Sequence, residues 1–254
     1  MAIIKDKKEI KILQTGGRIL AKILAEISRA VKVGVSTEYL NNLAELLIKE
    51  AGAEPSFKGF GDFNPYPKSL CTSVNDGVVH CVPSETQLLK SGDIVGLDLG
   101  IRYPAVSGLY TDKAITIGIG KVSPEAKRLI KVARNSLELL ISKLKPGMTT
   151  GEAGLIIQSY VESQGFSVVR ELIGHGVGYS VHELPHLPNY GKKGEGDVIT
   201  EGMVLAFEPM INIGSWQVKF GENGWDVYTK DGSLSAHFEN TILITKKGCE
   251  VITK

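Results

Sequence analysis

The chain has 254 residues, 43% of them apolar and 22% charged, and a formal net charge of +1. That length supports one sizeable core and is short for two full domains with a linker, while near-neutral charge excludes the broad basic field by which proteins capture a nucleic-acid backbone. No stretch reaches transmembrane length, MAIIKDKKEI lacks the apolar run of a secretion signal, and three cysteines without CxxC spacing exclude a disulfide framework or cysteine-based zinc site. The expectation is a cytoplasmic protein without a membrane or direct nucleic-acid partner. Nothing demands a partner subunit, so a monomer is expected.

The first predicted element is a helix from Glu9 to Val31, with Ile12, Ile19, Ile23, Leu24 and Ile27 at helical spacing before the terminator VKVGVST. Ser36 and Thr37 can cap a second helix carrying Leu43, Leu47 and Ile48 up to Gly52. GFGDFNPYP (59–67) reads as a loop. LLKSGDIVGLD (88–98) reads as a buried strand, GIRYPAVSGLY (100–110) as a hairpin or bulged connection, and DKAITI (112–117) as the next strand.

The series then begins again. A helix from Pro124 to Leu144 carries Leu129, Val132, Ala133, Leu137, Leu140 and Ile141 and ends at LKPGMTT, where Gly147 matches Gly34 and Thr149-Thr150 match Ser36-Thr37. Each glycine is a candidate helix C-cap. Ile156, Tyr160, Val161 and Gly165 repeat the offsets of Leu43, Leu47, Ile48 and Gly52. LPHLPNYGKKGEG (184–196) reads as a loop, VITEGMVLAFE (198–208) parallels 88–98, and ENTILI (239–244) parallels DKAITI. The pattern predicts a single α+β domain over 1–254, built from helix-helix-strand repeats at about 9–118 and 122–248. Packed about a pseudo-two-fold axis, their sheets would form one floor.

The repeats end on acids: Asp98 corresponds to Glu208 and Asp112 to Glu239. Asp98 follows Ile94-Val95-Gly96-Leu97 and Glu208 follows Val204-Leu205-Ala206-Phe207, so each carboxylate sits where burial is expensive unless a partner or cation compensates. One such acid alone is more often a turn cap or a surface ion pair. Four at repeat-equivalent positions would repel and take up protons unless cations cancel them, and two divalent ions supply the charge.

His175 lies among Gly174, Gly176 and Gly178, a density that suggests close approach of backbone and ligand. Imidazole suits zinc, iron or cobalt, and bridging carboxylates also accept manganese. His80 and His182 could flank such a site and donate hydrogen bonds without ligating. His237 shares a strand face with Glu239, whereas for it and for His186 a satisfied core or turn position is an equally good reading. His182-Glu183-Leu184-Pro185-His186 satisfies HExxH literally, but Pro185 and Pro188 argue against the helix that motif requires.

These residues closely resemble the type I methionine aminopeptidases of the pita-bread fold, over nearly the whole chain. The marks are YPKSLCTSVNDGVVH (66–80), GDIVGLDLG (92–100), TDKA (111–114), GHGVGYSVHELP (174–185), AFEPM (206–210) and SLSAHFENTILIT (233–245). The resemblance implies a central curved antiparallel sheet and two divalent ions (Co, Fe, Mn, Zn or Ni) on Asp98, Asp112, His175, Glu208 and Glu239. It implies removal of the N-terminal methionine from nascent or short peptides, with transient ribosome contact. His80, His182 and Glu208 would be catalytic, and Phe60, Tyr66, Cys71 and Trp225 would join His80 and His182 around the substrate. The sequence departs from the family in an insertion near Arg102–Ser107, a longer 59–67 loop, and Val181 where an aromatic residue is common. The alternatives are an Xaa-Pro-type aminopeptidase, whose known forms carry an added N-terminal domain, and a catalytically silent ribosome-associated module.

Overall fold

The computed structural model describes residues 3–254. The first half comprises α1 (Lys7–Ala30), α2 (Thr37–Glu50), β1 (Glu54–Pro55), β2 (Leu70–Val74), β3 (Gly77–Val79), β4 (Ile94–Tyr103) and β5 (Leu109–Gly118). The second comprises α3 (Pro124–Lys143), α4 (Thr150–Ser163), β6 (Ser167–Val168), β7 (Gly174–Gly176), β8 (Glu183–Leu187), β9 (Val204–Phe207) and β10 (Met210–Asn212). It continues through β11 (Val218–Phe220), β12 (Val227–Thr229), β13 (Ser235–His237), β14 (Asn240–Ile244) and β15 (Cys249–Val251).

Capping chemistry starts each helix. Asp6 accepts from the first-turn amides of α1, Ser36 and Ser123 do so for α2 and α3, and Thr149 with Glu152 forms a reciprocal capping box on α4. The terminator glycines play a different role from the expected C-cap. α1 and α3 stop at the extended residues Val31 and Leu144, and Gly34 (φ 86°) and Gly147 (φ 91°) each sit third in the turn that follows. Those turns close through Val35 N–H to Lys32 O and Met148 N–H to Lys145 O, and a left-handed third position is what a type II turn requires.

The duplication extends to individual hydrogen bonds. Gly34 N–H reaches Leu89 O as Gly147 N–H reaches Ile199 O, both at 2.8 Å. Gly92 N–H reaches Ile119 O at 2.8 Å, matching Gly202 N–H to Ile244 O at 2.9 Å. The helices of each half pack over that half's strands: Leu20, Leu24, Ile27, Leu40 and Ile48 close over Val95, Leu97 and Leu99, and Leu129, Leu137, Leu140 and Ile157 over Leu205, Phe207 and Ile242.

Every strand pair is antiparallel. In the first half β4 has β5 on one side and β2 with β1 on the other; in the second the order is β15-β14-β9-β7-β8. Two small sheets, β13-β10-β6 and β11-β12-β3, complete the curved α+β architecture. The expected single floor is therefore not one continuous ladder: the β4/β5 and β14/β9 sheets abut at β5, joined largely through side chains.

Several boundaries differ from expectation. Leu88 makes only an isolated bridge to Ser36, residues 90–93 form a turn held by Asp93 accepting from Lys90 N–H, and the strand instead runs on to Tyr103, so Asp98 lies mid-strand. Gly100 and Ile101 continue the extended run because β1 pairs with Ile101 and Arg102. Residues 100–110 resolve as the hairpin between β4 and β5. Glu183–Leu187, assigned in part to a proline-rich loop, forms β8, whose register shift against β7 falls between His175 and Gly176. HExxH thus lies on no helix.

Candidate metal centre

The five predicted ligands come from both halves. β4 carries Asp98 and β5 Asp112, β7 carries His175, Glu208 directly follows β9, and Glu239 lies between β13 and β14. Asp98, Asp112, His175 and Glu239 are buried, and the Glu208 side chain is 12% exposed. Asp112, His175 and Glu239 each bring one ligand atom into a group whose members all lie within 4.8 Å of one another. Glu208 Oε1 lies 3.5 Å from His175 Nε2, and its Oε2 lies 3.4 Å from His237 Nε2, close but without hydrogen-bond alignment.

The tautomer of His175 is set by its own strand. Nδ1 lies 2.9 Å from the Gly176 carbonyl, which can only accept, so Nδ1 carries the hydrogen and Nε2 turns its lone pair toward the carboxylates. The flanking glycines serve strand packing rather than ligand approach. A Cβ on Gly174 would meet Ala206 O at 2.4 Å, and one on Gly176 would meet Leu184 O at 2.2 Å.

Burial is the first cause holding all four carboxyls protonated above their usual range, and mutual repulsion adds to it at Asp98, Asp112 and Glu239. Asp98 Oδ1 and Glu239 Oε1 are buried without a hydrogen-bond partner. Crowded acids with orphaned oxygens beside an imidazole lone pair fit a divalent cation and are costly otherwise. Burial likewise drives down His80 (to about 4), His175 (to about 3) and His237 (to about 3), leaving neutral rings at pH 7.

A cavity of about 130 Å³ opens onto the carboxylates. An apolar cavity near 150 Å³ holds a benzene molecule, so this one has room for a single mid-sized side chain. Phe60, Tyr66, Cys71, His80, His182 and Trp225 all line it. Tyr66 donates to the carbonyls of Leu70 and Cys81 and meets Trp225 edge-on at 5.2 Å. His182 meets Phe60 at 4.9 Å and His175 at 4.4 Å. His80 takes φ 57°, a left-handed conformation costing a non-glycine residue about 1–3 kcal/mol, and stands edge-on to Trp225.

Phe57 also lines the cavity, edge-on to Tyr66 at 6.5 Å, and the sequence reading missed it. Its place depends on a tertiary contact with Gly100, where a Cβ would strike Ser56 Oγ at 2.1 Å and the Phe57 ring at 3.0 Å. His186 lies outside this cavity, in an adjoining cleft with Glu171 and Leu184. Val181 is buried without lining the cavity.

Residues 11–246 match the model of metallopeptidase family M24. The chain belongs to that family. This M24 peptidase is 44% identical over 253 residues to the methionine aminopeptidase of Clostridium acetobutylicum, covering 100% of this chain and 99% of that one. It is 42% identical to methionine aminopeptidase 1 of Bacillus subtilis, with 100% of both chains covered. The crystal structure of the Thermotoga maritima methionine aminopeptidase superimposes over 100% of both chains with a TM-score of 0.95 at 41% identity. These likenesses place the M24 peptidase with the type I methionine aminopeptidases and their pita-bread fold.

The charge pattern gives the metal-free M24 peptidase a distinctive pH response. Carboxyls whose pKa is raised by folding contribute stability at low pH and lose it as pH rises through their folded values; histidines whose pKa is lowered contribute above 6.5 and lose it as pH falls. The two sets oppose each other below 6.5, and above it only the carboxyls act. Lys113, drawn down by burial to about 8, enters only above that pH. The unfolding midpoint of the metal-free protein should fall between about pH 6.5 and 8, and saturating Mn²⁺ should remove the decline. Thermal unfolding at stepped pH checks this; a midpoint that rises across that interval without metal would contradict the burial of these acids.

Proposed function

We propose that this M24 peptidase removes the N-terminal methionine of peptides and newly made proteins by hydrolysing the first peptide bond, with two divalent ions on Asp98, Asp112, His175, Glu208 and Glu239. The observation that carries this reading is a cluster of buried carboxylates and an imidazole lone pair at the end of an apolar cavity sized for one side chain. Bound there, divalent ions would cancel the carboxylate charge, polarise the scissile carbonyl and activate a water. Cobalt, iron, manganese, zinc and nickel all suit this mixed oxygen and nitrogen donor set.

The remaining work falls to side chains. Glu208, set between His175 and His237, takes the proton from the attacking water and passes it to the leaving amine. His182 donates to the carbonyl oxygen as negative charge builds there. His80, neutral and held beside Trp225, faces the first residue near the bond to be cut. Phe57, Phe60, Tyr66, Cys71 and Trp225 receive the methionine side chain, whose thioether packs well against aromatic edges. The 1–254 chain then acts as one catalytic domain, because both repeats supply ligands. The free thiols Cys71, Cys81 and Cys249 support a reducing cytoplasm, and among the described residues no helix is long and apolar enough to cross a membrane.

Release of the first residue from Met-Ala-X, Met-Pro-X and Ala-Pro-X peptides, after chelation and readdition of single metals, tests the reading. Metal-restored cleavage of Met-Ala-X is expected. Preference for Ala-Pro-X would mark an Xaa-Pro peptidase, and turnover of none, with no metal bound, a silent module.

A further inference from the structure

The two halves meet along a seam where, among the described residues, no β-ladder forms between β5 and β14. Segment 237–241 nevertheless runs antiparallel to β5, with Asp112 facing Thr241, Ala114 facing Glu239 and Thr116 facing His237. Only the middle pair makes a direct backbone bond, from Glu239 N–H to Ala114 O at 2.9 Å. On either side a threonine hydroxyl stands in for the ladder. Thr241 Oγ1 accepts from Asp112 N–H at 2.8 Å and donates to Asp112 O at 2.9 Å. Thr116 Oγ1 accepts from His237 N–H and donates to His237 O, both at 2.8 Å.

Both threonines are completely buried. A hydroxyl offers one donor and two acceptor positions, so each satisfies the amide and the carbonyl of one residue in the opposite half. The clamped residues are those of the site: Asp112 itself, and His237, which touches Glu208 and lies two residues from Glu239. Carboxylates that repel one another need something besides a cation to keep them together before the cation arrives. Lys113 lies near enough for its charge to act on Glu239, but its ammonium donates its hydrogen bonds to Asn240 Oδ1 and Thr253 O.

We propose that Thr116 and Thr241 are positioning residues of the metal centre, whose hydroxyls fix the spacing between Asp112 and Glu239 of opposite halves. The assignment rests on the metal centre described above. It deepens that reading by naming what preorganises the ligands.

The test titrates Mn²⁺ into chelator-stripped protein by calorimetry for the wild type and for Thr241→Val, Thr241→Ser, Thr116→Val and Thr116→Ser. Each valine should raise the Mn²⁺ Kd at least about tenfold, the range found for groups that orient ligands, while each serine stays within about threefold of wild type. KM for Met-Ala-X at saturating Mn²⁺ should move less than kcat. Valine variants that bind Mn²⁺ as tightly as the wild type would overturn the clamp alone, whereas a wild type that binds no Mn²⁺ would overturn the metal centre. Amide hydrogen exchange in the metal-free wild type decides the matter if the valine variants do not fold. Protected amides at Asp112 and His237 are expected, and exchange there as fast as in an open loop would sink the proposal.

Discussion

Asp98→Ala should lower kcat/KM on Met-Ala-X by about 10³-fold or more, corresponding to several kcal/mol of lost charge stabilisation at 1.36 kcal/mol per tenfold. The strand itself should survive. Asp98 lies mid-β4 with Cys71 on one side and Ala114 on the other, and its backbone pairing does not depend on the carboxylate. Its side chain is buried, repelled by Asp112 and Glu208, and has an orphaned oxygen. Removing it takes away a carboxyl that burial forces to keep its proton, at a cost to the metal-free protein, and takes from the loaded protein the ligand proposed above. The metal-free variant should therefore melt at a higher temperature than the metal-free wild type, while its affinity for divalent ions falls. A simple packing defect would lower both. Near-normal turnover after metal readdition would show that Asp98 is not a ligand.

Gly174→Ala is expected to cost about 2–3 kcal/mol of stability and roughly 10²-fold in kcat, although the residue carries no functional group. Its Cβ would come within 2.4 Å of Ala206 O, a backbone atom that cannot rotate away, and 3.4 Å of Glu208 Cγ. The strain can be relieved by parting β7 from β9, whose register sets His175 opposite Ala206. That parting moves the imidazole relative to the carboxylates. Gly34→Ala is the contrasting control: its Cβ would meet nothing within 4 Å, so only the cost of its left-handed turn remains. Equal activity of Gly174→Ala and wild type would mean the strands tolerate the methyl without shifting the ligands.

Much of this arrangement was legible because the chain repeats itself. Matching terminators at Gly34 and Gly147 and matching acids at Asp98 and Glu208 turned weak local signals into collinear ones, and the helices followed from periodicity and capping alone. What escaped depends on tertiary contact. Phe57 sits in a stretch with neither helical nor strand period and reaches the cavity through packing against Gly100. β8 forms in a proline-rich segment that local propensity gives to a loop, because β7 offers it a partner. The glycines around His175 were correctly marked as a place of close approach, but what approaches is the neighbouring strand. Thr116 and Thr241 carry no signal in sequence, since their meaning lies in residues more than a hundred positions away.

The matched hydrogen bonds of the two halves also bear on ancestry. A half-length forebear could not have gathered these acids within a single chain, so any cation it held would have sat between two identical copies, each lending the same groups. Fusion removed that obligation to be alike. The strand register shows the outcome: Ser73 faces Gly96 in the first half where His175 faces Ala206 in the second, and the aromatic wall of Phe57, Phe60 and Tyr66 belongs to the first half. One former partner was thereby free to build most of the aromatic wall, which Trp225 completes, while the other acquired His175.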